Sequence, residues 1–291
     1  MKRPQYLVAG AGMLILLVLY FFGQTVPPQK KVASTAEGAE PGTGSPGSAV
    51  KSIDLQDILQ VAHSRLNAAQ LSYVNRLENS VVRGDVKVQQ LNASRQLAAF
   101  WKDSVQEGFL PFLYYSGQTA KLENSEKSLT FAAQLFLQNL RGQENPALKS
   151  WMAINAKELF EKALELNPGN DSTKVGLGAS YIFGSGGNPQ ETMQGIQRIL
   201  EVARRDSSNM YAQFMLGLGG VESGQFDKAV ERLTTVVRHQ PGNIEAILLL
   251  AGIYQQKGDN ASAVKWYKVS RALVEDKDMV HEIDQRIKSL Q

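Results

Sequence analysis

The stretch LGLGGVESGQFDKAVERLTTVVRHQPGN, residues 216–243, places glycine at 217, 219, 220 and 224 and then alternates charged and apolar residues up to Pro241-Gly242-Asn243. It can be read as a glycine-rich loop around a phosphate, or as a helix pair packed so closely that side chains have been deleted. A phosphate loop requires G-x-x-x-x-G-K-[ST] or G-x-G-x-x-G between a strand and a helix, and neither pattern occurs in this stretch. Glycine inside a helix costs about 1 kcal/mol relative to alanine, so a cluster of three needs a compensating close approach. The helix-pair reading supplies one.

An internal period supports it. Pro168-Gly169-Asn170 and Pro241-Gly242-Asn243 each close an amphipathic helix and lie 73 residues apart, which is two 34-residue units and five more. The glycine-rich run 182–190, IFGSGGNPQ, is the expected home of the five, as a lengthened turn.

On these residues the chain resembles the tetratricopeptide repeat (TPR) family, a 34-residue helix-turn-helix. The resemblance implies small residues at repeat positions 8 and 20, large ones at 11 and 24, glycine near 15 and proline at 32. Leu216, Gly217, Gly224, Ala229, Leu233 and Pro241 fall on positions 7, 8, 15, 20, 24 and 32 of one unit, and Leu250, Ala251, Tyr254, Gly258, Ala263 and Tyr267 on 7, 8, 11, 15, 20 and 24 of the next. Leu177, Gly178 and Tyr181 keep positions 7, 8 and 11 of an earlier unit, and Ala156, Phe160, Ala163 and Pro168 the second half of the one before, whose first helix is placed at Leu129–Leu140. The implied fold is an all-α solenoid of antiparallel helix pairs, with repeats at about 121–170, 171–209, 210–243 and 244–277 and a capping helix at 278–291. Gly178, Tyr181, Gly217, Ala229, Pro241, Ala251, Tyr254, Ala263 and Tyr267 are its packing residues, with Ala229 lying against the backbone at Gly217. Gly220 stands where position 11 is usually aromatic, and Tyr181 or Phe214 is expected to fill that space.

Upstream, residues 52–120 are helical without fitting the repeat. Leu55, Ile58, Leu59, Ala62, Leu66, Ala69, Tyr73, Leu77 and Val81 form one apolar stripe, read as a single long helix, and a second stripe runs from Val88 to Val105 up to a break at Gly108–Pro111. Residues 23–51, with four prolines and five glycines, read as a flexible tether averaging about 30 Å end to end. Tyr6–Phe22 is uncharged and spans about 25 Å as a helix, enough for a membrane anchor in residues 1–22. A cleaved signal peptide is the alternative, disfavoured because Pro27 and Pro28 make a poor cleavage site. Lys2 and Arg3 ahead of the run favour a cytoplasmic N-terminus in a plasma or inner membrane, with the repeat domain outside the cytoplasm.

The chemistry of catalysis is sparse. The 31 basic and 28 acidic residues nearly balance and point to no nucleic acid, and the absence of cysteine excludes disulfides, thiol nucleophiles and thiolate metal sites. His63, His239 and His281 are dispersed on what read as helix surfaces, and Glu158, Glu161 and Glu165 alternate with Lys157 and Lys162 as a solvated face. No catalytic residue, metal or cofactor is expected, and the chain does not read as an enzyme.

The TPR resemblance implies that positions 2, 5, 9 and 12 of each first helix line a concave groove. Here these are Ser172, Val175, Ala179 and Ile182; Tyr211, Phe214, Leu218 and Val221; Glu245, Leu248, Gly252 and Gln255. The basic clamp that some members use for a peptide C-terminus is absent. An apolar helix or extended segment of a protein is the expected partner, unless the chain's own N-terminal helices cover the groove. The expected role is an anchored scaffold or adaptor for a cell-envelope complex; the alternatives are a cytochrome c maturation-type factor holding apoprotein segments, and a structural homo-oligomer.

Overall fold

The computed structural model describes residues 53–83, 86–103, 105 and 108–291, so the anchor and tether expectations lie outside the described residues. Among the described residues every regular element is an α-helix, and there are thirteen. They are α1 Leu55–His63, α2 Ala68–Arg83, α3 Lys87–Asp103, α4 Phe109–Glu123, α5 Glu126–Leu140, α6 Pro146–Leu166 and α7 Asp171–Gly184, followed by α8 Pro189–Arg205, α9 Met210–Glu222, α10 Phe226–His239, α11 Ile244–Gln256, α12 Asn260–Leu273 and α13 Lys277–Ser289. Consecutive helices pack as antiparallel hairpins, α3 with α4, α5 with α6, α7 with α8, α9 with α10 and α11 with α12, and each hairpin stacks on the next. None of the helices among the described residues is long and apolar enough to cross a membrane.

The helix starts follow from their caps. Asn170, Asn188, Asn209 and Asn243 each accept a backbone N–H of the first turn through the side-chain oxygen, satisfying donors that a helix N-terminus leaves free. Asn145 does the same for α6, with Pro146 in the first turn where its missing N–H is harmless. Gly224 and Gly258 close the hairpin turns at φ 70° and 75°, a left-handed conformation that side-chain-bearing residues rarely adopt.

Two expectations about the helices are corrected. The single stripe from Leu55 to Val81 is two helices, because Asn67 caps α2. Its Oδ1 accepts from Gln70 N at 2.9 Å, and Gln70 Oε1 accepts from Asn67 N at 3.1 Å, a reciprocal box that starts a new helix in mid-stripe. Pro111 is likewise no breaker, since it lies in the first turn of α4.

The five extra residues are also distributed differently from the single lengthened turn expected. The repeat formed by α7 and α8 has a 14-residue first helix where the next two repeats have 13, a four-residue turn where they have three, and a 17-residue second helix where they have 14. Most of the insertion is helix, because TMQGIQRIL continues the apolar spacing that buries Gly195, Ile199 and Val202.

Glycine sets the closest crossings. A Cβ on Gly195 would lie 2.4 Å from the Gly178 carbonyl oxygen, and one on Gly178 would lie 2.6 Å from Ile199 Cγ1 and 2.8 Å from the Gly195 oxygen. Position 20 of this repeat is therefore Gly195, 34 residues before Ala229. In the next repeat the partners differ from those expected: Gly217 faces Leu233, and it is Gly220 that lies under Ala229, at 3.0 Å from a would-be Cβ to the alanine's. Ala229, Ala251, Ala263 and Tyr267 are buried, Tyr181 and Tyr254 are half-buried, and Pro241 is exposed in the connection to α11. Tyr254, Tyr267 and Ile283 of α13 belong to one apolar cluster that closes the C-terminal end.

Candidate functional site

The first helices of the hairpins, α5, α7, α9 and α11, carry the surface expected to bind, and the structure closes much of it. Val175, Ala179 and Ile182 are fully buried, and Phe214 and Leu218 retain 8% and 5% of their exposure. These five are packing residues, which corrects the expectation that they line an open groove. Gly252 is buried as well, whereas Ser172 is exposed and Val221 and Leu248 are half-buried.

The closure comes from α5, which reaches across the neighbouring first helices. Thr130 and Thr173 share a hydroxyl hydrogen bond of 2.9 Å, and Gln134 Nε2 donates to the Tyr211 hydroxyl at 3.2 Å. Arg141, at the C-terminal end of α5, lies over the rings of Phe183 and Phe214 at 5.6 and 5.9 Å and donates to Glu245 at 2.7 Å. One guanidinium thus ties the first repeat to the fourth across the intervening pair. Burial raises the Tyr211 phenol above its ordinary range. Gln255 is also engaged, accepting from the Tyr267 hydroxyl at 2.9 Å within its own hairpin.

One surface that stays open is a cleft of about 400 Å³ between α3, α4 and α5. Its floor is small, Ala98, Ala120 and Ala132, and its rim carries Arg95, Lys127 and Phe131. Phe131 is 65% exposed, an unusual placement for an aromatic beside a cleft. Arg95 donates to Glu123 at 2.7 Å, and Ser128 also bonds that carboxylate. The Ser128 bond first, and Arg95 after it, hold Glu123 below the usual carboxylate range, so the wall keeps its charge through neutral pH. The sequence reading missed this cleft because α3 and α4 carry no repeat consensus; the one available signal was an aromatic on the polar side of the α5 stripe.

His63 is not a surface histidine. Its Nε2 lies 3.1 Å from Glu78 Oε1, which also accepts from the Tyr115 hydroxyl at 2.6 Å, and its ring stacks on Trp101 at 6.1 Å. Burial, then the Glu78 hydrogen bond and charge, pushes the Tyr115 phenol far above its ordinary range. The cluster belongs to the core that joins α1–α4. Of the lysines between the α6 carboxylates, Lys157 pairs with Glu191 of α8 at 2.8 Å and Lys162 with Glu158 of its own helix at 3.9 Å, while Glu158 also accepts from Lys121 of α4 at 2.7 Å. Among the described residues no group of acidic and histidine side chains is arranged to hold a metal ion.

Helical hairpins stacked in series, with small residues at their crossings and left-handed glycines in their turns, form an all-α array consistent with a tetratricopeptide repeat solenoid. Residues 221–281, from the end of α9 into α13, match a tetratricopeptide repeat family model. Comparison with curated protein sequences gives no match. Among solved structures the chain is similar to PilW, described as a widely conserved type IV pilus biogenesis factor, with 18% identity over 69% of this chain and 90% of that one and a TM-score of 0.47. It is similar to MamA from Desulfovibrio magneticus RS-1, with 18% identity over 63% and 94% and a TM-score of 0.43. A third is YrrB, described as a TPR protein with an unusual peptide-binding site, with 14% identity over 74% and 99% and a TM-score of 0.41. These likenesses are of fold and carry nothing about partner or role.

Proposed function

We propose that the chain is a membrane-anchored adaptor that binds a protein partner through the α3–α5 cleft and helps assemble or maintain a cell-envelope complex. The observation that carries the binding reading is Phe131, a solvent-facing aromatic on the rim of a cleft flanked by Arg95 and Lys127. Aromatic side chains at such mouths are frequent anchors of binding energy, because they bury large area at small entropic cost. The apolar floor suits an aliphatic or aromatic residue of the partner, and the paired charges on the wall suit a polar rim. The envelope placement rests on the uncharged run Tyr6–Phe22 behind Lys2 and Arg3.

Crosslinking of the full chain in native membranes tests both parts. Phe131→Ala should reduce capture of the crosslinked partner about tenfold or more while leaving the melting temperature unchanged. Undiminished capture removes the cleft from the reading. A C-terminal alkaline phosphatase fusion should be active, and an inactive fusion alongside a bright cytoplasmic reporter would move the repeats to the other side of the membrane.

A further inference from the structure

The repeats supply their own template for a second site. In the α7–α8 repeat, Tyr181 at position 11 is held between two cations: Lys157 Nζ of the preceding hairpin lies 4.1 Å from the ring centroid, and Arg198 of its own second helix lies 5.3 Å from it. Advanced by 34 residues, Arg198 becomes Arg232, and Lys157, the residue after position 20, corresponds to Ile196. The ring itself has no counterpart, because position 11 of the α9–α10 repeat is Gly220. The space it leaves is not lined by Tyr181 or Phe214, as the sequence led one to expect; the atoms nearest a would-be Cβ at Gly220 are those of Ala229 in α10, at 3.0, 3.2 and 3.3 Å.

On the α8 side there is a cleft of about 180 Å³, walled by Met193, Ile196, Leu200 and Leu216, floored by Gly220 and bordered by Arg232. A cavity of roughly 150 Å³ with aliphatic walls is enough to hold benzene, so the volume suits one aromatic ring. Arg232 donates to Gln213 at 2.8 Å, which fixes the guanidinium at the mouth, and among the described residues it is paired with no carboxylate. Met193 stands at the entrance with 49% of its surface exposed. A thioether and a guanidinium both favour an aromatic over an aliphatic occupant.

We infer that this cleft is a docking site for an aromatic side chain of a protein partner, seated where Tyr181 sits in the preceding repeat and under Arg232 as Tyr181 lies under Arg198. It is separate from the α3–α5 cleft and stands whether or not Phe131 binds anything.

The test uses the full-length chain with methionine methyls labelled, the Met193 signal being assigned by Met193→Leu, and N-acetyl-phenylalaninamide as the probe. The Met193 methyl should move upfield under the ring current and saturate with a Kd on the order of 10 mM, as expected for burial of a single ring. N-acetyl-leucinamide should bind about fivefold more weakly, and Arg232→Gln should weaken the phenylalanine probe by a similar factor while sparing the leucine one. Gly220→Tyr, which recreates the Tyr254 and Ala263 combination of the following repeat, should fill the cleft from within and abolish the shift. Equal binding of the two probes, an undiminished shift in Arg232→Gln or in a folded Gly220→Tyr, or no saturation at all overturns the inference. A shift with toluene alone would assign the cleft to a free aromatic molecule and overturns it equally.

Discussion

Gly195→Ala is the sharpest test of how these helices meet. The added Cβ would lie 2.4 Å from the Gly178 carbonyl oxygen and 2.9 Å from both Ile182 Cγ1 and Tyr181 Cβ, where an ordinary contact is well beyond 3 Å. The first obstacle is backbone, so no rotamer relieves it, and α7 and α8 must separate. That loosens Ile182 and Ile199, both fully buried. Overpacking of this kind costs about 1–3 kcal/mol, and rigid neighbours place it near the top of that range, while replacing a mid-helix glycine by alanine returns about 1 kcal/mol. The net expectation is a loss of about 2 kcal/mol, a fall in melting temperature of about 4–8 °C for a folded unit of this size. Gly242→Ala is the control: it meets nothing within 4 Å and has an ordinary φ, so it should be neutral or stabilising by less than about 1 kcal/mol. Thermal and urea unfolding of the two variants side by side decide the matter. Equal stability, or a more stable Gly195→Ala, would refute a crossing set by paired glycines.

Two further outcomes follow from the closed inner surface and the α1–α4 core. Phe214→Ala should cost about 3–5 kcal/mol in urea unfolding, since the ring is buried under Arg141, whereas a groove residue would lose partner capture and little stability. Tyr115 has its phenol pKa raised in the fold, so the native state keeps a proton that the unfolded chain releases above about pH 10; stability should be level below that point and fall by up to about 1.4 kcal/mol per pH unit above it. Tyr115→Phe, though less stable at neutral pH because Glu78 loses a donor, should show a shallower alkaline decline, and an unchanged slope would disprove the linkage.

The sequence by itself determined the repeat. The recurrence of Pro-Gly-Asn at the ends of two helix hairpins, the small residues at Gly178, Gly217 and Ala229 and the turn glycines at 224 and 258 are local demands of a helix hairpin, and local demands are written along the chain. Even Gly195 was legible by counting 34 back from Ala229, and the second helix start was legible in Asn67 and Gln70. Only the tertiary structure decided which surfaces are open. Whether the inner face is a groove depends on how tightly successive hairpins turn, and that angle is the sum of many small packing choices at each interface, among them the longer α8 and its glycine crossing. Arg141 reaches Glu245 across 104 residues, a distance over which no period or propensity carries information. The cleft beside Gly220 divides the same way: the missing ring could be read from the sequence, but whether a neighbour would fill the space was decided by the backbone spacing between α8, α9 and α10.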